Sequence, residues 1–432
     1  MMISILASLA AIAAFAADVP GNVASPEAVG RVQSGALKEA NAAWWGFNAD
    51  DATDCLQAAI DSGVPKLYVP KMSAPWTIRP VRLRGNLDII FEQDVLVLAK
   101  KDEFKGKGDS LLTATDVQNL AVRGHGAILR MRKEDYQSAA YEKAEWRMTL
   151  DLAGCTNVLV EGLRLENSGG DGIYVGATKN LAGCKDVVIR DVICDGHHRQ
   201  GISVISAENL LIERCTFSNT KGTAPQAGID LEPNSEGEQL TNCVIRDCLF
   251  ENNSGGGMYA YLKQLDKTTK PVSILFERCV VRGGLDAGIA VAAVKDDGPK
   301  GIIEFRQCSV DGCAKAGAYV VDKSREGALV RFVECSWRDT WAKKSDYGRL
   351  RVPVLLNLDR PKLTTKPGGI EFEHCQVFDE KDRPAVLLKS KEGAEPFADV
   401  RGTITVHNRH GARLEAEPEA GKSELRLIEA RD

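Results

Sequence analysis

The sequence predicts an all-β solenoid, and three observations carry that prediction. A nine-residue pattern recurs as NVLVEGLRL (157–165), DVVIRDVIC (186–194), NLLIERCTF (209–217), NCVIRDCLF (242–250), SILFERCVV (273–281), IIEFRQCSV (302–310), LVRFVECSW (329–337) and GIEFEHCQV (369–377). Cys215, Cys248, Cys279, Cys308, Cys335 and Cys375 occupy one position of it, at spacings of 33, 31, 29, 27 and 40 by subtraction. A second short apolar element follows six of these stretches: DGIYV (171–175), QGISV (200–204), AGIDL (227–231), GGMYA (256–260), AGIAV (287–291) and AGAYV (316–320). Alternating strands repeated at this period, without a helical pattern between them, describe coils that each bury an apolar face only by stacking on their neighbours.

The elements follow in chain order. Residues 1–16 are a run of small apolar residues ending in Ala14-Phe15-Ala16, the pattern of a secretory signal, although no Lys or Arg precedes the run. Residues 17–40 read as a linker, 41–112 as an N-terminal cap with the first coils, 113–424 as the solenoid, and 425–432 as a closing strand or tail. The stretch WGFNADDATDCLQAAIDSGVPKLYVP (45–70) begins with an Asp50, Asp51 and Thr53 cluster that caps a short amphipathic helix; a strand ending at Pro70 follows. Such a helix would cover strand edges that otherwise invite association. Residues 130–148 (RMRKEDYQSAAYEKAEWRM) break the rhythm as an insertion.

The whole chain has 432 residues, is 44% hydrophobic and carries a formal charge of -5. Mixed signs without a basic stripe exclude nucleic acid as an expected partner. No later segment is long and apolar enough to span a membrane, so the mature form is expected off the membrane and monomeric. Six cysteines in one row stack in register, where the geometry of a bridge is hard to meet; free thiols filling an interior ladder are the expectation.

Several turns of this pattern, with the 45–70 region, resemble the pectin-lyase-like superfamily over about residues 45–415. The resemblance implies a single-stranded right-handed parallel β-helix with an N-terminal capping helix. It implies no one reaction, because that superfamily holds lyases, hydrolases, epimerases and tailspikes.

Side chains alternate along a strand, so aligning the second elements gives an outward row of Tyr174, Ser203, Asp230, Tyr259, Ala290 and Tyr319. Two positions on come Gly176, Ile205, Glu232, Tyr261, Ala292 and Val321; just before the glycine lie Asp171 and Gln200 with Arg199. Polar and aromatic groups thus concentrate on four coils, while later coils carry Ala and Val. Asp230 and Glu232 lie roughly 6.7 Å apart at Cα, and Asp171 roughly 9.6 Å along the axis from Asp230. Carboxyls about 6.5–9.5 Å apart suit an inverting glycosidase and about 5–5.5 Å a retaining one.

Arg199 and His198, from GHHRQG (196–201), join Asp171, Asp230 and Glu232 as catalytic candidates, with bidentate anion binding and proton exchange as their roles. Tyr174, Gln200, Lys221, Tyr259, Tyr261, Trp146 and Arg147 are substrate-binding candidates, since sugars stack their CH faces on aromatic rings. Lys221 reads more readily as an ordinary surface lysine, and Trp146 at least equally as packing for the insertion.

The polygalacturonases of this superfamily carry Asn-x-Asp, Asp-Asp, Gly-His-Gly and Arg-x-Lys in successive coils. NSGGDG (167–172) matches the first only loosely, and GHHRQGIS (196–203) is not Gly-His-Gly. The expectation is therefore a secreted or periplasmic enzyme acting on polysaccharide, a glycoside hydrolase needing no cofactor ahead of a lyase of uronic-acid glycans. A lyase would use Arg199, His198 and Lys221 as base and cations, or hold Ca²⁺ on Asp171, Asp230 and Glu232. A non-catalytic carbohydrate-binding solenoid is the third reading.

Overall fold

A computed structural model describes residues 21–341, 350–359, 363–390, 395–417 and 423–430. The expected signal segment, residues 1–16, lies outside the described residues. So do residues 17–20 of the linker and the end of the tail at 431–432. Among the described residues no helix is long and apolar enough to cross a membrane.

Each coil contributes up to three short strands, and every ladder pairing is parallel. One ladder runs through Thr156–Glu161, Cys184–Arg190, Ala207–Glu213 and Leu240–Arg246, and a second through Arg164–Glu166, Ile193–Asp195, Thr216–Ser218 and Leu249–Glu251. The third runs through Leu150–Ala153, Ile173–Gly176, Ile202–Val204, Ile229–Leu231, Met258–Tyr261, Ile289–Val294 and Ala318–Lys323. This is a parallel β-helix, and the third ladder is the one that will hold the site.

The repeated pattern is two strands and a corner. Asp191, Arg214, Asp247, Arg278, Gln307, Glu334 and His374 stand between the first and second ladders with φ from 50 to 55°. That left-handed conformation turns the chain where polar side chains can reach water. Charges pair from corner to corner: Arg214 with Asp191 at 2.8 Å and Arg278 with Asp247 at 2.7 Å. Asn86, Asn119, Asn157, Asn209 and Asn242 hold a further left-handed corner. Their amides form a ladder, Asn119 Nδ2 donating to Asn86 Oδ1 at 2.8 Å and Asn157 Nδ2 to Asn119 Oδ1 at 2.8 Å.

Each of the six stacked cysteines directly follows a charged, Gln or His corner. There a small side chain fits beneath the turn, and its thiol donates to a carbonyl the corner leaves near it. Cys248 Sγ lies 3.2 Å from Arg246 O, and Cys335 Sγ lies 3.2 Å from Phe305 O. All twelve cysteines are buried and free, as the thiol ladder requires. Next to it the aromatics stack: Phe276–Phe305, Phe305–Phe332 and Phe332–Phe372 have centroids 5.0, 5.2 and 5.2 Å apart with planes 8–13° from parallel. This spacing follows the backbone rise between rungs.

At the N-terminal end, helix α2 (Thr53–Asp61) buries Leu56, Ala59 and Ile60. Its Gln57 closes the free edge of the third ladder: Oε1 accepts from Arg82 N at 2.9 Å and Nε2 donates to Arg82 O at 3.0 Å. The expected cap is real, but Ala52 is the N-cap residue; Asp51 accepts the Thr53 amide from one position earlier, at 3.0 Å. From residue 21 on, the segment read as a linker contains a helix and a strand. Helix α1 (Pro26–Gln33), capped by Ser25, buries Ala28 and Val32, and strand Glu39–Asn41 pairs with Lys66–Val69. A proline at the first helical turn and a preceding serine were the overlooked start signals.

Candidate active site

Backbone register, and not chance proximity, assembles the row on the third ladder. Asp151, Tyr174, Ser203, Asp230, Tyr259, Ala290 and Tyr319 are successive ladder partners. On the flanking turn Asp171 and Gln200 sit one coil apart, with the Gln200 N–H donating to Asp171 Oδ1 at 3.1 Å. Gln200 then reaches forward: its Nε2 donates to Asp230 Oδ2 at 2.9 Å, and its Oε1 accepts from Ala227 N at 2.9 Å. Arg199 lies between acids, Nη1 3.8 Å from Asp171 Oδ2 and Nη2 3.5 Å from Glu232 Oε2.

Exposure separates the roles of the three acids. The side chain of Asp171 is 0% exposed, that of Arg199 18%, and that of Glu232 31%; Asp230 is 3% exposed. Burial pushes the Asp171 carboxyl up to about 7, with Arg199 opposing. Burial also holds Asp230 well above the usual carboxylate range; Glu232 adds to it by charge and by hydrogen bond, and Arg199 works against it. A carboxyl that is buried beside a second one keeps a proton. Asp230 and Glu232 are therefore electrostatically linked, the charge on Glu232 favouring the protonated form of Asp230. Asp171 cannot bracket a glycosidic bond, because its side chain has no exposed surface.

Beside the Asp230–Glu232 pair a groove of about 530 Å³ opens toward the later coils, lined by Arg199, Pro225, Asp230, Glu232, Tyr259, Tyr261, Ala290, Ala292, Tyr319 and an Asp286–Lys315 pair at 2.9 Å. Ala290 and Ala292, on a coil whose small residues set it apart from the polar ones in the sequence, line this groove. A rung of small residues between tyrosines makes a hollow in an otherwise filled face. That size pattern was the signal for Tyr319, Asp286 and Lys315, all missed as site residues.

Several candidates lie elsewhere. Arg147 is fully buried: it donates to Phe104 O at 2.9 Å and Glu142 O at 2.7 Å, and its guanidinium sits over Tyr136 and Tyr141. It holds the insertion down and cannot contact substrate. The insertion lies directly on Gly169 and Gly170, where a Cβ at Gly170 would stand 2.6 Å from Glu145 O. This contact seals Asp171 and explains the glycines of NSGGDG. Trp146, 50% exposed, stays on the outer surface of the insertion.

Gln200 is fully buried and spends its amide inside the protein, so it positions acids and does not touch substrate. His198 bonds Thr223 Oγ1 through Nε2 at 3.0 Å, and burial lowers its pKa; no hydrogen bond or ion pair among the described residues joins it to the acids. Lys221 is exposed, its amide bonded to His197 O, and it does not line the groove. Tyr174 also lies outside the groove, next to Asp151. As for Ca²⁺, the guanidinium of Arg199 fills the space among the acids that would have to coordinate it, and no cluster of three or more His, Cys, Asp or Glu able to hold a metal occurs among the described residues.

Asp151 was overlooked. Its Oδ1 is buried without a partner, and burial pushes its pKa from 3.8 to about 6. A raised carboxyl favours the fold fully below 3.8, and that contribution is lost as pH rises through about 6. Asp151→Asn is expected to raise stability by about 2–3 kcal/mol at pH about 8 and to change little at pH about 4. Denaturant midpoints at the two pH values check this.

A family model described as the right handed beta helix region matches residues 148–270, which include all the acids of the buried cluster. The chain is 25% identical over 245 residues to uncharacterized protein YclG of Bacillus subtilis, covering 49% of this chain and 42% of that protein. It thus spans less than half the length of that relative. Among solved structures it is similar to the A-module of mannuronan C-5 epimerase AlgE4 of Azotobacter vinelandii, at TM-score 0.60 and 11% identity, covering 90% of this chain and 100% of that one. It is also similar to a tailspike protein of an E. coli bacteriophage in complex with a pentasaccharide, at TM-score 0.56 and 11% identity, covering 87% and 68%. The fold of the chain is the right-handed parallel β-helix.

Proposed function

We propose that this chain cleaves polysaccharide as a glycoside hydrolase outside the cytoplasm. The observation that carries the reading is the buried Asp230, its pKa raised by burial and by Glu232, beside that more exposed carboxyl in a groove lined by tyrosines. The Asp230–Glu232 pair delivers its proton to the leaving oxygen through Glu232, the more exposed member. Asp230 supplies that proton to Glu232, and Arg199, 3.5 Å from Glu232, orients the carboxyl that stabilises positive charge on the sugar. Asp286, ion-paired with Lys315 two coils further on, is the other carboxylate of the groove and takes the proton of the attacking water. Tyr259, Tyr261 and Tyr319 offer faces and edges for sugar rings. The similarity to the epimerase module and to the saccharide-bound tailspike supports polysaccharide as the ligand class.

The test is a panel of neutral and uronic-acid polysaccharides incubated with purified protein. Hydrolysis yields new reducing ends without an unsaturated, ultraviolet-absorbing product. An unsaturated product in equal amount to the new ends means a lyase and overturns the proposal. Retention of glycan with no new ends means a binding protein and overturns it as well.

A further inference from the structure

Within the cluster, one hydrogen-bond chain has a fixed polarity. The amide of Gln200 cannot be turned round, because Ala227 presents an N–H to Oε1 and an oxygen must face it. The –NH₂ group therefore points at Asp230 Oδ2, 2.9 Å away. Asp230 Oδ1 is buried and has no hydrogen-bond partner of this kind. The hydroxyl oxygen of a carboxylic acid is a poorer acceptor than its carbonyl oxygen, so the oxygen facing an N–H is the carbonyl.

We propose that Gln200 is a positioning residue that reserves Oδ2 of Asp230 as an acceptor and thereby places the transferable proton on Oδ1. The inference rests on the reading of Asp230 as proton donor. Oδ1 has no exposed surface of its own, so a proton fixed there is kept within the acid pair and leaves through Glu232, the more exposed carboxyl; a proton moving between the two oxygens would be in place for that transfer only part of the time. Around Asp230 the charged and titratable groups are Glu232 on its own strand, Arg199 and Asp171 from the preceding coils, and Tyr259 on the next. Gln200 adds a neutral donor to this set without changing its charge, and a donor to the anion holds the group more acidic than it would otherwise be.

Infrared difference spectroscopy of the full chain reads the proton without substrate. Subtracting the spectrum of Asp230→Asn isolates the carboxylic-acid carbonyl band of Asp230. In Gln200→Met, close in volume but without the amide, that band is expected at higher frequency, and to ionise at higher pH. On a cleaved polysaccharide the same variant is expected to lose about tenfold in kcat with KM unchanged, and the basic limb of its pH profile to move up. Should Gln200→Met not fold, Gln200→Asn, whose amide is one methylene short of Asp230, makes the same test. An Asp230 band present in the unaltered protein but unmoved in the variant overturns the role of Gln200. Absence of any such band shows that Asp230 carries no proton, which removes the proton-donor reading and this inference with it.

Discussion

Asp230→Asn is expected to lower kcat on the cleaved polysaccharide by about 10³-fold, the scale of a lost general acid, while KM changes little. The amide keeps the shape of the carboxyl and still accepts from Gln200 Nε2 through its oxygen, so the ladder at Ile229–Leu231 is undisturbed. It has no proton to give. Glu232→Gln is expected to fall by a similar factor, and the double variant no further than about the worse single one, because the two carboxyls act as one unit. Initial rates of reducing-end release measure all three. Full activity in Asp230→Asn would remove the acid from the mechanism. Stability should move the other way. Asp230 has a raised pKa, so its contribution to the fold is present in acid and lost as pH rises, and the neutral amide spares the protein that loss.

Phe332→Ala is expected to cost about 3–5 kcal/mol. The ring is fully buried, stacked between Phe305 and Phe372 at 5.2 Å on each side and edge-on to Trp337 at 5.6 Å. Neighbouring rungs are tied by backbone ladders and cannot close on the hole, so most of the cavity stays open. In a solenoid each coil contacts mainly its neighbours, and the damage should be local. Hydrogen exchange should show the coils after about residue 300 losing protection first, with those before 200 unchanged. Uniform loss along the chain would mean that the stack unfolds as a single unit.

The legible parts of this molecule are those that follow from backbone register. Parallel rungs stack like on like, so aligning AGIDL with GGMYA and AGIAV was enough to place Asp230 beside Ser203 and Tyr259 on one face. Strand alternation likewise put Asp230 and Glu232 on one side. The corners were not legible: the charged pairs of each repeat, such as Glu213-Arg214, carry none of the usual Gly or Asn turn signals, yet Arg214 is the left-handed turn itself at φ 53°. Side-chain reach was the other blind spot. Whether Gln200 faces a sugar or spans Asp171 and Asp230 depends on a few ångströms of amide that no spacing reveals. Arg147 read as a substrate-binding residue; one of its carbonyl partners, Phe104 O, is more than forty positions away and invisible to spacing. Ala290 and Ala292 carried no chemistry to notice, and the hollow they make is visible only against the tyrosines stacked around them.

The row of unbridged thiols has a practical consequence. No oxidant is needed to complete this fold, and no reductant should loosen it. Because nearly every coil from Cys155 to Cys375 carries at least one thiol shielded from solvent, an alkylating reagent followed by mass spectrometry would give an ordered readout of unzipping, each adduct dating the moment its own stretch first met water.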